Sequence, residues 1–229
     1  MRGIVPALAV VLALAATPVA ARRAAQAGFA EPADIIAAEG NFTHLIAAKG
    51  IMAAIRATAA PDAQIFASRL MRVTEYVHSA DPNLLPQGHT RQLWMSCDGS
   101  IAVTHGEWQR LPVLGWYATI WQRQKGGNYK WVLAQWGTRM AALPESDMIN
   151  ASIADCPVRR TGASASAGKT EASEHKASLP DYLSGHSDDA TLEWTTAPGA
   201  DGSRSFVLRF KRDAAMREVL RAIAAPPGA

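Results

Sequence analysis

The chain has 229 residues, 48% hydrophobic and 19% charged, which suffices for one domain with an extension or two small domains and excludes a globally disordered protein. Its formal charge of +3 rests on Arg2, Arg22 and Arg23, which lie in a first stretch of 27 residues that holds no acid; a chain cut after Ala27 carries 20 basic against 20 acidic residues. A neutral mature chain removes the reason that a pI of about 9.0 would give for binding nucleic acid or an anionic membrane.

Arg2, the uncharged apolar run Ile4 to Ala16, and small residues at Val19-Ala20-Ala21 or Ala25-Gln26-Ala27 read as a secretory signal peptide over residues 1–27. The competing reading is a permanent membrane anchor, since Gly3 to Ala21 just reaches spanning length. Richness in Ala, Pro18 near the end of the run and the cleavage sites favour export, so the mature chain is expected to be periplasmic or secreted and free of membrane. Two cysteines, Cys97 and Cys156, then face an oxidising compartment, where an even count suggests one disulfide; two unpaired small apolar residues are the alternative.

After Glu31-Pro32, Ile35, Ile36, Phe42, Leu45 and Ile46 recur at helical spacing. Gly50 divides the pattern into two helices, and Pro61-Asp62 is expected to stop the second before a short strand at 63–67. Met71 to His78 fits strand or helix, and Ser79 to His89 is loop by its turn residues. Ser96 to Gly137, which with Trp94 spans six of the seven tryptophans, alternates β-branched and aromatic with polar residues, and Gly-rich turns interrupt it at hairpin spacing. It predicts a curved, aromatic antiparallel sheet entered through Thr90 to Met95.

The order of two helices, a short strand, a long loop and a meander carrying Asp98-Gly99, Thr104-His105-Gly106-Glu107-Trp108, Gly115-Trp116-Tyr117-Ala118-Thr119-Ile120-Trp121 and Tyr129-Lys130-Trp131-Val132-Leu133 resembles the NTF2-like superfamily. It is most similar to exported SnoaL-like or DUF4440-type members, over about residues 31–142. The resemblance implies an α+β (cystatin-like) cone of curved antiparallel sheet wrapped around N-terminal helices, an apolar pocket at its open end, and a homodimer formed through the sheets.

Residues 143–190 are read as a partly low-complexity linker, since 161–178 holds no large apolar residue. Within it, residues 163–170 fit a relaxed phosphate-loop pattern but follow no strand and open no helix, so no nucleotide is inferred. Residues 191–225 predict two strands around Pro198-Gly199-Ala200-Asp201-Gly202 and a short helix from Ala214 to Ala224, a small extension that must pack on the first domain or on a partner.

Alternation places Tyr117, Thr119, Trp121, Trp131, Leu133 and Gln135 on the concave face, where they are expected to line a ligand pocket. Glu39, His44, Tyr76, His78 and His105 are the polar residues that could approach it. His105 and Glu107 share a strand face, but no third ligand is identifiable, so no metal is assigned and no cofactor is implied. Where many relatives carry an Asp in the last strand, this chain has Ala134, Gln135 and Trp136, which weighs against catalysis. The reading that follows is a module binding a small apolar or amphipathic ligand, or a partner through its sheet. The alternative is an isomerase, cyclase or dehydratase using Asp62 or Glu39 as general base, with Tyr117 or His44 assisting. In a third reading the C-terminal extension is the functional surface.

Overall fold

The computed structural model describes residues 30–67, 69–79, 88–110, 112–139, 148–156 and 183–226. The signal segment, most of the 79–89 loop and the low-complexity linker with its phosphate-loop-like run lie outside the described residues. Helix α1 (Pro32–Lys49) opens on Pro32, whose missing N–H is no loss in a first turn, and carries Asp34 and Lys49 at the ends that the helix dipole favours. Gly50, at φ +80°, ends it and admits α2 (Ile51–Thr58).

The second helix stops at Thr58, before the expected Pro61-Asp62 breaker. Both residues lie exposed in strand β1 (Ala59–Phe66), where pairing with the neighbouring strand is interrupted between Ala59 and Gln64, so Pro61 removes no ladder bond. Met71 to His78 proves to be both strand and helix, with β2 (Leu70–Arg72) running into α3 (Val73–Ser79). The meander is β3 (Gly88–Met95), β4 (Ile101–Arg110), β5 (Val113–Arg123) and β6 (Tyr129–Arg139), and β7 (Asn150–Ile153) rises from the segment read as linker. The seven-stranded order is β2-β1-β6-β5-β4-β3-β7. Antiparallel pairing holds through the meander, but β1 joins β6 and β7 joins β3 in parallel, so the sheet is mixed rather than antiparallel throughout.

Glycine decides where the large rings go. Gly106 pairs with Tyr117 and Gly115 with Trp108 across β4 and β5, and a Cβ on either glycine would stand 2.6 Å and 2.0 Å from the facing ring. Each aromatic covers backbone that its partner leaves bare.

The C-terminal extension differs most from expectation. Strands β8 (Leu183–His186), β9 (Leu192–Pro198), β10 (Arg204–Arg212) and β11 (Ala215–Ala224) form a four-stranded sheet ordered β11-β10-β9-β8. The expected helix at 214–224 is therefore a strand. Met216, Val219, Leu220 and Ile223 do recur at helical spacing. A tight turn with Asp213 at φ 54° and Ala214 at φ 61° folds the segment onto β10 instead, and burial of Ala222 and Ala224 there overrides helix propensity.

This second sheet lies on the outer face of the first. Phe206, Leu208 and Phe210 share one core with Trp94, Val103, Trp116, Ile120 and Leu133, while Ile35, Ile55, Ile65, Leu93, Trp121 and Trp131 form another beneath the helices. The layers are helices, sheet, sheet. The outer face, through which a homodimer was expected to pair, is covered by the chain's own extension.

Two turns of like sequence hold the sheets together. In Ser96-Cys97-Asp98-Gly99-Ser100-Ile101 and Ser187-Asp188-Asp189-Ala190-Thr191-Leu192, the Ser hydroxyl donates to the Asp carboxylate two residues on, at 2.7 Å in each. The turns then grip one another: Asp98 N–H donates to Asp189 Oδ2 at 2.9 Å and Asp189 N–H to Asp98 Oδ2 at 3.1 Å. Cys97 N–H donates to Thr191 Oγ1 and Asp188 N–H to Ser100 Oγ, both at 3.0 Å. Cys97 is also disulfide-bonded to Cys156, with Cα atoms 5.1 Å apart, beside the turn and just beyond β7.

Replacing Cys97 and Cys156 together with Ala removes a cross-link over 59 residues, and the loss of stability in denaturant should be roughly 4 kcal/mol; a loss below about 1 kcal/mol would mean that the clasp suffices without it. His105 gives a second test. It is buried on the outer face beside Trp116, its Nδ1 has no partner, and burial, helped by the charge of Arg139, lowers its pKa from 6.5 to about 4. Between those values the unfolded chain takes up a proton that the folded one refuses, so stability is full above about pH 6.5 and falls as pH drops to about 4, by about 3 kcal/mol. Denaturant titrations from pH 7 to pH 4 should show this slope in the wild type and its loss in His105→Leu.

Candidate functional site

Helix α1 sets Ile35, Glu39, Phe42 and Ile46 along one stripe, and the stripe faces the inner side of the sheet. An acid on an apolar stripe has nowhere else to go. Glu39 therefore enters a cavity of about 340 Å³ between the helices and β4 to β6, within the range that holds small organic ligands. Trp108, Trp121, Trp131, Trp136, Tyr76 and Tyr117 contribute its aromatic wall, and Phe42, Ile46, Ile51, Ile55 and Ile65 its aliphatic one.

The carboxyl group of Glu39 accepts from Thr104 Oγ1 at 2.6 Å and from Trp121 Nε1 at 3.3 Å, both at Oε1. Burial raises its pKa above 4.5, against the opposing pull of the bonds from Thr104, Trp121 and Thr90. Thr90 Oγ1 in turn shares a hydrogen bond of 2.7 Å with the Tyr117 hydroxyl. Burial, and then the charge of Glu39, hold that phenol far above its ordinary pKa of 10. Tyr76, raised to about 12 by burial, meets Trp136 edge to face at 5.7 Å. The site thus holds one carboxyl group that stores a proton more readily than an ordinary glutamate, tied through Thr90 to a phenol that stays protonated.

Of the expected lining, Tyr117, Thr119, Trp121, Trp131 and Gln135 border the cavity, and Leu133 does not. Trp121 pairs with Trp131 and Ile120 with Leu133, so Val132 is an extra residue in β6 and the alternation inverts there. Leu133 turns to the outer face under the second sheet, and Ala134 and Trp136 take the inner positions. The Gln135 amide oxygen accepts from Thr196 Oγ1 of the second sheet at 3.0 Å, so that amide is engaged away from the cavity.

Neither His44 nor Asp62 lines the cavity, and both are exposed; His78 is likewise exposed. His105 faces the opposite side of the sheet, and Glu107 is bonded to Arg91 at 2.9 Å. Among the described residues no three His, Cys, Asp or Glu side chains gather as a metal set. Sequence reasoning missed Trp108, Trp136, His89 and the role of Thr104. Trp108 and Thr104 lie in strict alternation on β4, a signal that was there to use, whereas Trp136 is invisible without the bulge.

No protein-family model and no curated protein matches the sequence. Among solved structures, a candidate ketosteroid isomerase from Shewanella frigidimarina is similar at 20% identity over 44% of this chain and 94% of its own, with a TM-score of 0.35. A DUF3225-family protein of unknown function from Pectobacterium atrosepticum is similar at 15% identity over 47% of this chain and 89% of its own, with a TM-score of 0.39. An NTF2-like protein of unknown function from Silicibacter pomeroyi is similar at 16% identity over 48% of this chain and 99% of its own, with a TM-score of 0.35. At these values the likeness adds nothing to the argument from the chain's own topology and site.

The glycine cradle around Tyr117 yields a test. A Cβ on Gly106 would stand 2.2 Å from the His89 carbonyl oxygen and 2.6 Å from Tyr117 Cε1, so Gly106→Ala must move β3 and the ring together. It should lower stability by about 1–3 kcal/mol and change the near-UV spectrum of the aromatic wall. Gly40→Ala, on the exposed side of α1 with nothing within 4 Å, should instead raise stability by about 1 kcal/mol.

Proposed function

We propose that residues 31–142 are an NTF2-like module of SnoaL-like or DUF4440 type, in an exported protein, that binds one small amphipathic molecule between its helices and its sheet. The observation that carries this reading is the cavity of about 340 Å³ in which Glu39 is, among the described residues, the one carboxyl group amid aromatic and aliphatic walls. Burying a carboxyl group in such surroundings costs several kcal/mol unless something offsets it, and a ligand with a polar end among those walls would do so. The Cys97–Cys156 bond supports a periplasmic or secreted location, where such bonds persist. Because the outer sheet face is covered, the reading places function in the cavity and takes the second sheet as a support for it.

A second reading is favoured by one observation, the raised pKa of Glu39 beside a phenol that stays protonated. That pair suits a general base and an assisting acid in an isomerase, cyclase or dehydratase. The other candidate base, Asp62, lies outside the cavity.

Native mass spectrometry of the protein purified from its exported compartment should show a retained small mass. Ala134→Phe, which fills the cavity from β6, should abolish retention while leaving far-UV circular dichroism unchanged. An empty wild type that also fails to bind a hydrophobic fluorescent probe would overturn the binding reading. Conversion of the retained compound by the wild type and not by Glu39→Gln would establish the catalytic one.

A further inference from the structure

The cavity's polar inventory is one-sided. Its lining includes Glu39 and, among the described residues, no lysine or arginine. Three of its indole N–H groups are already spent within the protein: Trp121 Nε1 donates to Glu39, Trp131 Nε1 to Thr58 Oγ1 at 2.9 Å, and Trp108 Nε1 to the Trp116 carbonyl at 3.1 Å. The Tyr117 hydroxyl is bonded to Thr90. Those residues therefore offer a ligand their ring surfaces rather than their donors. Ring faces carry negative charge density, which disfavours a lone carboxylate beside them and favours a cation between them and the carboxylate.

From this geometry we infer that the ligand is an organic cation, a substituted ammonium group on an apolar body, seated between the Glu39 carboxylate and the rings of Trp121, Trp131, Trp108 and Tyr117. The inference rests on the binding reading above and names the ligand class for the same cavity. A cation removes the cost of the buried charge, whereas a neutral carbonyl or hydroxyl ligand leaves it standing. The raised pKa of Glu39 fits an acid whose counter-charge arrives with the ligand. Binding such a ligand draws Glu39 into its ionised form and releases its proton, so affinity rises with pH through the range in which Glu39 titrates in the free protein and then levels. The titratable groups that face Glu39 across the cavity are Tyr76 of α3, Tyr117 of β5 and His89 of β3. Burial keeps both phenols protonated through that range.

The test uses the full exported chain with benzyltrimethylammonium and its uncharged carbon isostere neopentylbenzene, followed by tryptophan fluorescence and by calorimetry in two buffers of different ionisation enthalpy. The wild type should bind the ammonium compound at least ten-fold more tightly than the isostere and release a proton as it does so. Glu39→Gln, which keeps the size and the acceptor oxygen, should weaken the ammonium compound about ten-fold, leave the isostere unchanged and abolish the release. Proton release that survives in Glu39→Gln assigns the linkage to another group and overturns the inference. Equal binding of both compounds, or proton uptake, overturns the cation while leaving the cavity as a binding site. Failure of both compounds to bind overturns both readings.

Discussion

A seven-stranded sheet with large apolar side chains on both faces has to be covered twice, and the rest of the structure follows from how this is done. The helices cover one face incompletely and leave a cavity. The second sheet covers the other through Phe206, Leu208 and Phe210, with the paired Ser-x-Asp turns and the disulfide fixing its position. Uncovered, Trp94, Trp116, Ile120 and Leu133 would form the kind of contiguous apolar patch that drives association. Covering one face within the chain leaves the cavity on the other.

The cavity depends on small irregularities in otherwise regular strands. Gly106 lets Tyr117 lie against bare backbone within reach of Thr90, and Gly115 does the same for Trp108. One extra residue in β6, Val132, exchanges Leu133 for Ala134 on the inner face, so a small side chain borders the cavity where an even alternation would have placed a large one. Glu39 stands in the resulting space because helix periodicity puts it on the same stripe as Ile35 and Phe42. Thr104 and Trp121 hold its carboxyl group from the sheet.

Buried polar groups divide by layer according to the work they can do. His105 and the Gln135 amide face the second sheet, on the side away from the cavity, each with a ring or amide nitrogen lacking a partner. They influence stability and its dependence on pH. Glu39 and Tyr117 lie in the layer that does present a cavity, where the same physics of burial becomes available to a ligand.

Local pattern alone determined the two helices with their break at Gly50, the four-strand meander and the placement of Tyr117, Thr119 and Trp121 on one face, because each is set by spacing between near neighbours. Glu39 was legible as a candidate for the same reason, and His44 and Asp62 were equally legible until burial separated them from it. Only the tertiary structure decided that residues 214–224 are a strand, since their helical spacing yields to pairing with β10 and to the core that covers Ala222 and Ala224. It alone decided that Leu133 faces away from the cavity, since a bulge adds a residue without any mark in composition. The parallel edge strands, the fit of Ser187-x-Asp189 against Ser96-x-Asp98 and the loss of a free sheet face are likewise contacts between residues distant in sequence. Their energy comes from partners that a local pattern does not contain.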